Sequence, residues 1–260
     1  MAASAMVPGD FQAIHTSRFR QIFEMVSSGE ADMGVLPLEN ALAGSVHENY
    51  DLLADFDLSI VGEYYCPVEL HVMCCIPAAN QIAQVLSHPK ALEQCSRFLE
   101  AHQSWQQLNW SDTAGAALHV KEQGDPTMAA LASEEAAKAF GLSIVHRSVQ
   151  NHSVNSTRFV SLTRSPLGEA RPTKCSLLCT LPHKPGSLAC ILSAIADQGG
   201  NVTKIESRPI LGKPFEYRFY IDIVVAHEGP EALEKCIEAS RHLSSSCRVI
   251  GRYEAVPSAF

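Results

Sequence analysis

The sequence lacks any apolar run approaching the ~20 residues of a membrane-spanning helix. Its opening, Met1 to Gly9, has neither a basic stretch nor an apolar stretch of signal-peptide length. Both absences point to a soluble, intracellular protein. Basic patches are missing as well: the formal net charge is −8 and no Lys/Arg run offsets it locally, which argues against nucleic acid and anionic membrane as partners. The nine cysteines are an odd set without paired CxxC spacing, and the eleven histidines supply no second ligand pair beside Cys74 and Cys75. No metal is expected, and the thiols read as reduced and buried.

What is present is a globular balance, 46% hydrophobic and 18% charged over 260 residues, enough for two domains. Phe19, Ile22, Phe23 and Val26 recur at helical spacing and Ser27-Ser28-Gly29 ends the run. A strand from Ala31 delivers Glu39 and Asn40 at its C-terminal end, where open α/β sheets place ligand groups. Further strands are predicted at 59–65, 70–76 and 85–86, then one helix from Pro89 to about Glu100 and helices capped by Asp112 and Ser133. This alternation predicts an α/β architecture. After a strand at 157–163 comes a stretch of linker composition, 166–172. Beyond it the order is βαββαβ, a ferredoxin-like split motif over 173–260.

Two sets of motifs resemble known families. Gly34-Val-Leu-Pro-Leu-Glu-Asn40, Gly44-Ser45-Val46, Tyr50-Asp51-Leu52-Leu53, Ser87-His88-Pro89 to Cys95, Asp112 to Ala117 and Asn155-Ser156-Thr157-Arg158-Phe159 are similar, in order, to the signatures of prephenate dehydratases. Lys184-Pro185-Gly186-Ser187-Leu188, Asn201 to Pro209 with its Glu206-Ser207-Arg208-Pro209, and Phe215 to Asp222 resemble the ACT domain of phenylalanine-regulated dehydratases. Ala41 stands where the family usually has serine, and Asn151 where it often has aspartate. The family's first strand and Gly-Thr-Phe-Ser-like turn have no counterpart before Phe11.

The resemblance implies a bilobal, periplasmic-binding-protein-like catalytic domain at 1–165, with lobes of about 10–66 plus 148–165 and about 67–147, followed by a phenylalanine-binding ACT domain at 173–260. It implies decarboxylating dehydration of prephenate to phenylpyruvate, or of arogenate to phenylalanine, in phenylalanine biosynthesis, with feedback by phenylalanine and no cofactor. A homodimer or homotetramer is expected, in the cytoplasm, or in a plastid after loss of a transit peptide. With its first strand missing, the stretch is expected to bind phenylalanine but turn over little, the alternative being an impaired phenylalanine-responsive protein.

Thr157 is the hydroxyl expected to meet the leaving oxygen, with Asn155, Thr157 and Phe159 on one strand face and Arg158 on the other. Asn40, Ser87, Gln94 and Thr113 are neutral donors suited to a dianion, and Glu39 balances the polar network. Asn155, Arg158 and Phe159 complete the substrate set. Ser87 and Thr113 adjoin helix starts, where capping competes, and His88 reads as structural beside Pro89. For phenylalanine the expected set is Gly186, Ser187, Leu188, Asn201, Glu206, Ser207, Arg208 and Pro209, with the helix N-terminus receiving the carboxylate.

Overall fold

The computed structural model describes residues 2–7, 9–76, 81–152, 154–165, 171–225 and 229–257. Of the expected linker, residues 166–170 lie outside these. Among the described residues no helix is long and apolar enough to cross a membrane. The chain divides into two compact units, Met1–Cys66 with Thr157–Phe260, and Pro67–Ser156.

The first unit opens with helices α1 (Ala2–Met6) and α2 (Phe19–Ser28), then β1 (Gly34–Asn40), β2 (Gly44–Ser45), α3 (His47–Asp55) and β3 (Ser59–Pro67). Helix α2 buries Phe23 and Val26 and stops at Gly29, whose left-handed φ of 86° lets its N–H return to Val26 O.

The second unit holds β4 (His71–Cys74), β5 (Gln84–Ser87), α4 (Pro89–Gln94), α5 (Ser96–Glu100), β6 (Gln106–Asn109), α6 (Thr113–Gln123), β7 (Met128–Ala132), α7 (Glu134–Phe140) and β8 (Ser143–His146). Its sheet runs β6-β5-β7-β4-β8, with β5 parallel to β6 and β7 and β4 antiparallel to β7 and β8.

The helix expected from Pro89 to Glu100 is broken at Cys95, where ψ is 16°. Asn151 holds the break: its Oδ1 accepts from Arg97 N–H while its Nδ2 donates to Glu93 O and Ser96 Oγ. An ionised aspartate could not make the two donations, which accounts for asparagine here. Residues 148–152, 154 and 155 belong to this unit rather than to the first lobe. Val149 N–H donates to Leu70 O, Leu70 N–H to Gln150 Oε1, and Asn151 N–H to Gln94 O.

The chain re-enters the first unit as β9 (Ser156–Thr163), β10 (Lys174–Thr180), α8 (Ser187–Asp197), β11 (Asn201–Pro209), β12 (Tyr217–Val224), α9 (Gly229–Leu243) and β13 (Ser246–Tyr253). One sheet collects all its strands in the order β11-β12-β10-β13-β3-β9-β1-β2. The first four are the expected βαββαβ motif. Helices α8 and α9 bury one face of these four over Leu177, Ile191, Ile195, Ile221 and Leu233. Against the opposite face lies α3, in a core shared by Leu36, Leu53, Val160, Tyr220 and Tyr253.

Polar groups fix α3 there. Tyr220 O–H donates to Tyr50 O, Arg208 makes a two-pronged pair with Asp51 at 3.0 and 2.7 Å, and Arg248 donates to the carbonyls of Leu53 and Phe56 at the C-terminal end of α3. A cation in that position also complements the helix dipole.

The sheet is joined in its middle where β13 meets β3 in parallel, Gly251 opposite Ile60. A Cβ on Gly251 would lie 2.6 Å from Ile60 Cβ and 2.8 Å from Ile60 O. Gly251→Ala should therefore destabilise the unit by about 1–3 kcal/mol through overpacking. The check is the urea midpoint of unfolding, and an unchanged midpoint would show that this joint is not close-packed.

Candidate active site and ligand groove

Simple alternation along β1 would put Leu36, Leu38 and Asn40 on one face and Glu39 on the other. The pairing with β9 contradicts that simple pattern. Leu36 faces Val160 and Pro37 faces Phe159, but after a register shift Glu39 faces Arg158 and Asn40 faces Thr157. This bulge follows Pro37, which has no N–H to give a ladder. It turns Asn40 to the side of Thr157 and Phe159, and Glu39 to the side of Arg158.

Asn40 Nδ2 donates to Thr157 Oγ1 at 3.0 Å, while Asn40 Oδ1 accepts from the N–H groups of Leu42 and Ala43 at 3.0 and 2.8 Å. The amide is thus oriented by the turn into β2, and it orients the hydroxyl. A threonine oxygen that accepts in this way keeps its own proton for another acceptor.

On the other side Arg158 is 2% exposed, and each of its three side-chain nitrogens meets a protein group. Its Nε donates to Glu63 Oε2 at 2.8 Å, its Nη1 meets Asp222 Oδ2 and Glu39 Oε1, and its Nη2 donates to Tyr253 O–H at 2.9 Å. Lys174 Nζ bridges both Glu63 oxygens at 3.1 and 2.8 Å. Ser176 Oγ–H donates to Asp222 Oδ1 at 2.6 Å, so the Tyr253 proton points to Ser176 Oγ. Burial by itself would lower the Arg158 pKa, yet Asp222, Tyr253 and Glu63 hold it well above its ordinary value. Burial would likewise raise Asp222, but Arg158, Lys174 and Ser176 hold its carboxyl below the usual range.

A second register shift, between Val202 and Lys204, turns Lys204, Glu206 and Arg208 onto the Asp222 and Tyr220 face. Lys204 Nζ there meets Glu39 Oε2 at 2.6 Å and Ser45 Oγ at 2.9 Å. Glu206 Oε2 accepts from Ser45 Oγ–H at 2.6 Å, with His47 Nε2 at 3.4 Å from its other oxygen. The charged triplet is therefore half-buried and paired with groups of β1, β2 and α3.

In the second unit, Ser87 ends β5 fully buried and donates to Leu131 O at 2.6 Å. Asn155 Nδ2 donates to Gln94 Oε1 at 3.2 Å. Thr113 is the first residue of α6, while Asp112 caps it by accepting from Gly115 N–H. His88 caps α4 through Nδ1, as its structural reading implied. Of the expected substrate residues, the first unit brings together Glu39, Asn40, Thr157, Arg158 and Phe159. The second holds Ser87, Gln94, Thr113 and Asn155.

A groove of about 380 Å³ opens at the start of α8, lined by Lys184, Ser187, Leu188, Glu216, Tyr217 and Phe219 among others. Gly186 caps α8 with a left-handed φ of 85°, and Ser187 Oγ is buried without a hydrogen-bond partner. Asn201, Ser207 and Pro209 are exposed on β11 and do not line this groove, nor do Glu206 and Arg208. The sequence reading missed Glu63, Lys174, Asp222 and Tyr253. Their signal is a charge or phenol inside an apolar strand run, as in Phe219-Tyr-Ile-Asp-Ile-Val224.

Residues 1–166 match the prephenate dehydratase family, and residues 176–242 match the ACT domain. The chain belongs to the prephenate dehydratase family. The family assignment is supported by 39% identity over 93% of this chain to arogenate dehydratase/prephenate dehydratase 2, chloroplastic, of Arabidopsis thaliana. This chain spans 66% of that relative's length. A solved structure described as GqqA, a novel type of quorum quenching acylases, superposes with a TM-score of 0.85 at 30% identity, covering 98% of this chain and 93% of that one. Prephenate dehydratase from Arthrobacter aurescens in complex with L-Phe gives 0.81 at 26% identity, covering 93% and 81%.

Asp222 carries a pH prediction. Its folded pKa lies below the unfolded value, so its contribution to stability is complete above the unfolded pKa and fades as pH falls through the folded one. Stability should thus drop below about pH 4. Asp222→Asn should cost about 3–5 kcal/mol at neutral pH, because it leaves buried cations under-compensated, and should flatten that acid limb. Urea midpoints between pH 7 and 3 test this; parallel curves for both proteins would contradict it.

Proposed function

We propose that this chain carries the dehydratase and regulatory parts of an enzyme that converts prephenate to phenylpyruvate, or arogenate to phenylalanine, and that phenylalanine binds its ACT domain. The observation that carries the reading is the Asn40–Thr157 pair, 3.0 Å apart on adjacent strands. In this reaction the ring carboxylate leaves as CO2. Its bonding electrons enter the ring, the C4–O bond breaks, and the departing oxygen takes a proton to become water. Thr157 is too weak an acid to supply that proton outright. A hydroxyl whose oxygen is already held by Asn40 can aim its proton at the departing oxygen and stabilise the charge growing there. Acylase chemistry, named in the description of one structural neighbour, calls for the opposite arrangement, a nucleophile whose proton is taken by a base.

For phenylalanine, the groove offers apolar Leu188 and Phe219, the Lys184 ammonium, the unpartnered Ser187 hydroxyl and the α8 N-terminus. This set suits an aromatic amino acid with a free carboxylate. The reading also has copies pairing along β11 and its hairpin, where Ile205, Leu211, Phe215 and Tyr217 are exposed.

Thr157→Val keeps the β-branched shape and deletes the hydroxyl. It should lower kcat on prephenate or arogenate about 10²–10³-fold, as loss of one preorganised donor does, with an unchanged melting temperature. Steady-state assays of the protein and its variant decide the matter, and a near-normal kcat would remove Thr157 from the reaction. Phenylalanine should raise the melting temperature of the intact chain. Ser187→Ala and Lys184→Met should weaken that effect, whereas no shift at millimolar phenylalanine would contradict the groove assignment.

A further inference from the structure

Two thiols face each other in the ACT sheet outside both candidate sites. Cys179 of β10 and Cys247 of β13 are direct partners across the antiparallel pair. Their sulfurs are 3.4 Å apart, with Cys179 donating to Cys247. Opposed residues in antiparallel strands have Cα atoms roughly 4.5 or 5.5 Å apart, inside the range a disulfide spans. Bond formation therefore asks only for the sulfurs to close by a little over an ångström, without moving a strand. Cys179 is buried and Cys247 half-buried, so a reagent from solvent reaches Cys247 first.

We propose that Cys179 and Cys247 form a redox-active dithiol that takes low-molecular-weight disulfides, with Cys247 as the attacking thiol and Cys179 as the resolving one. The hydrogen bond from Cys179 draws the Cys247 thiol below its ordinary pKa against the effect of burial, with Arg241 assisting. The same bond, burial and the charge on Cys247 hold the Cys179 thiol up. Capping Cys247 removes the bond and the charge, so the barrier to ionising Cys179 falls once it is needed.

In the first step the Cys247 thiolate attacks one sulfur of glutathione disulfide, whose S–S bond breaks and releases a glutathione thiolate. In the second, Cys179 gives its proton to water or to that thiolate, its sulfur attacks Cys247 Sγ, and the second glutathione leaves. The protein loses two protons and two electrons, and the oxidant is reduced to two thiols. Cys190 is exposed and serves as an internal control.

The test is peptide mapping of the reduced intact chain after incubation with glutathione disulfide at neutral pH, with free thiols alkylated on quenching. The expected product is a peptide pair linked through Cys179 and Cys247, reversed by dithiothreitol, beside Cys190 that retains glutathione. Cys179→Ala should trap glutathione on Cys247, and Cys247→Ser should leave Cys179 unmodified. Wild-type chains in which Cys190 is glutathionylated while Cys179 and Cys247 are both alkylated would overturn the proposal. So would persistent glutathione on wild-type Cys247, or ready modification of Cys179 in Cys247→Ser. The mapping of the wild-type chain is decisive whether or not either variant folds.

Discussion

Arg158, Lys174, Glu63 and Asp222 are buried together, and none of them could be buried alone. An isolated ion out of water costs several kcal/mol even after relaxation, and only close opposite charges and hydrogen bonds offset it. Two cations and two carboxylates balance here, and Tyr253 and Ser176 occupy remaining donor and acceptor positions. The four come from β9, β10, β3 and β12, on both sides of the 166–172 segment. The ACT strands and the first-lobe strands therefore complete one another's electrostatics. A cluster of this kind adds little net stability over an apolar core but penalises any arrangement that separates its members.

That constraint reaches the candidate active site through single residues. Arg158 is the chain neighbour of Thr157, and Glu39 of Asn40, each pair divided between the two faces of its strand. Glu39 continues outward to Lys204, and from there to Ser45 and Glu206. The segment expected to contact phenylalanine is thus joined, by hydrogen bonds of 2.6–2.9 Å, to the carboxylate beside Asn40. In the proposed reading, a ligand that favours one placement of β11 would bias the hydroxyl that Asn40 holds.

Most elements were legible because their periodicity and caps are strong: α2 with its Gly29 stop, the Asp112 and Ser133 caps, and the βαββαβ order. The weak ones were missed for physical reasons. Strand β6 is Gln-Gln-Leu-Asn at a sheet edge, with no alternation to see, and β7 is a short alanine-rich run. The break at Cys95 is imposed by Asn151, which lies far along the chain. Thr157 and Asn40 could be named from motifs, but their meeting depends on a bulge that strict alternation denies. Glu206 and Arg208 were expected at the phenylalanine site, but the shift after Val202 sets them on the Tyr220 and Asp222 face instead, paired with first-lobe residues.

The claim on which the rest hangs is that the ACT strands and the first-lobe strands are one cooperative body. Native-state hydrogen exchange of the whole chain across a urea series measures this most directly. Amides of β1, β3 and β9 should open with the same free energy and the same urea dependence as those of β10, β12 and β13. If the ACT strands opened at a clearly lower free energy while β9 stayed protected, the buried charges would not be holding the two parts together.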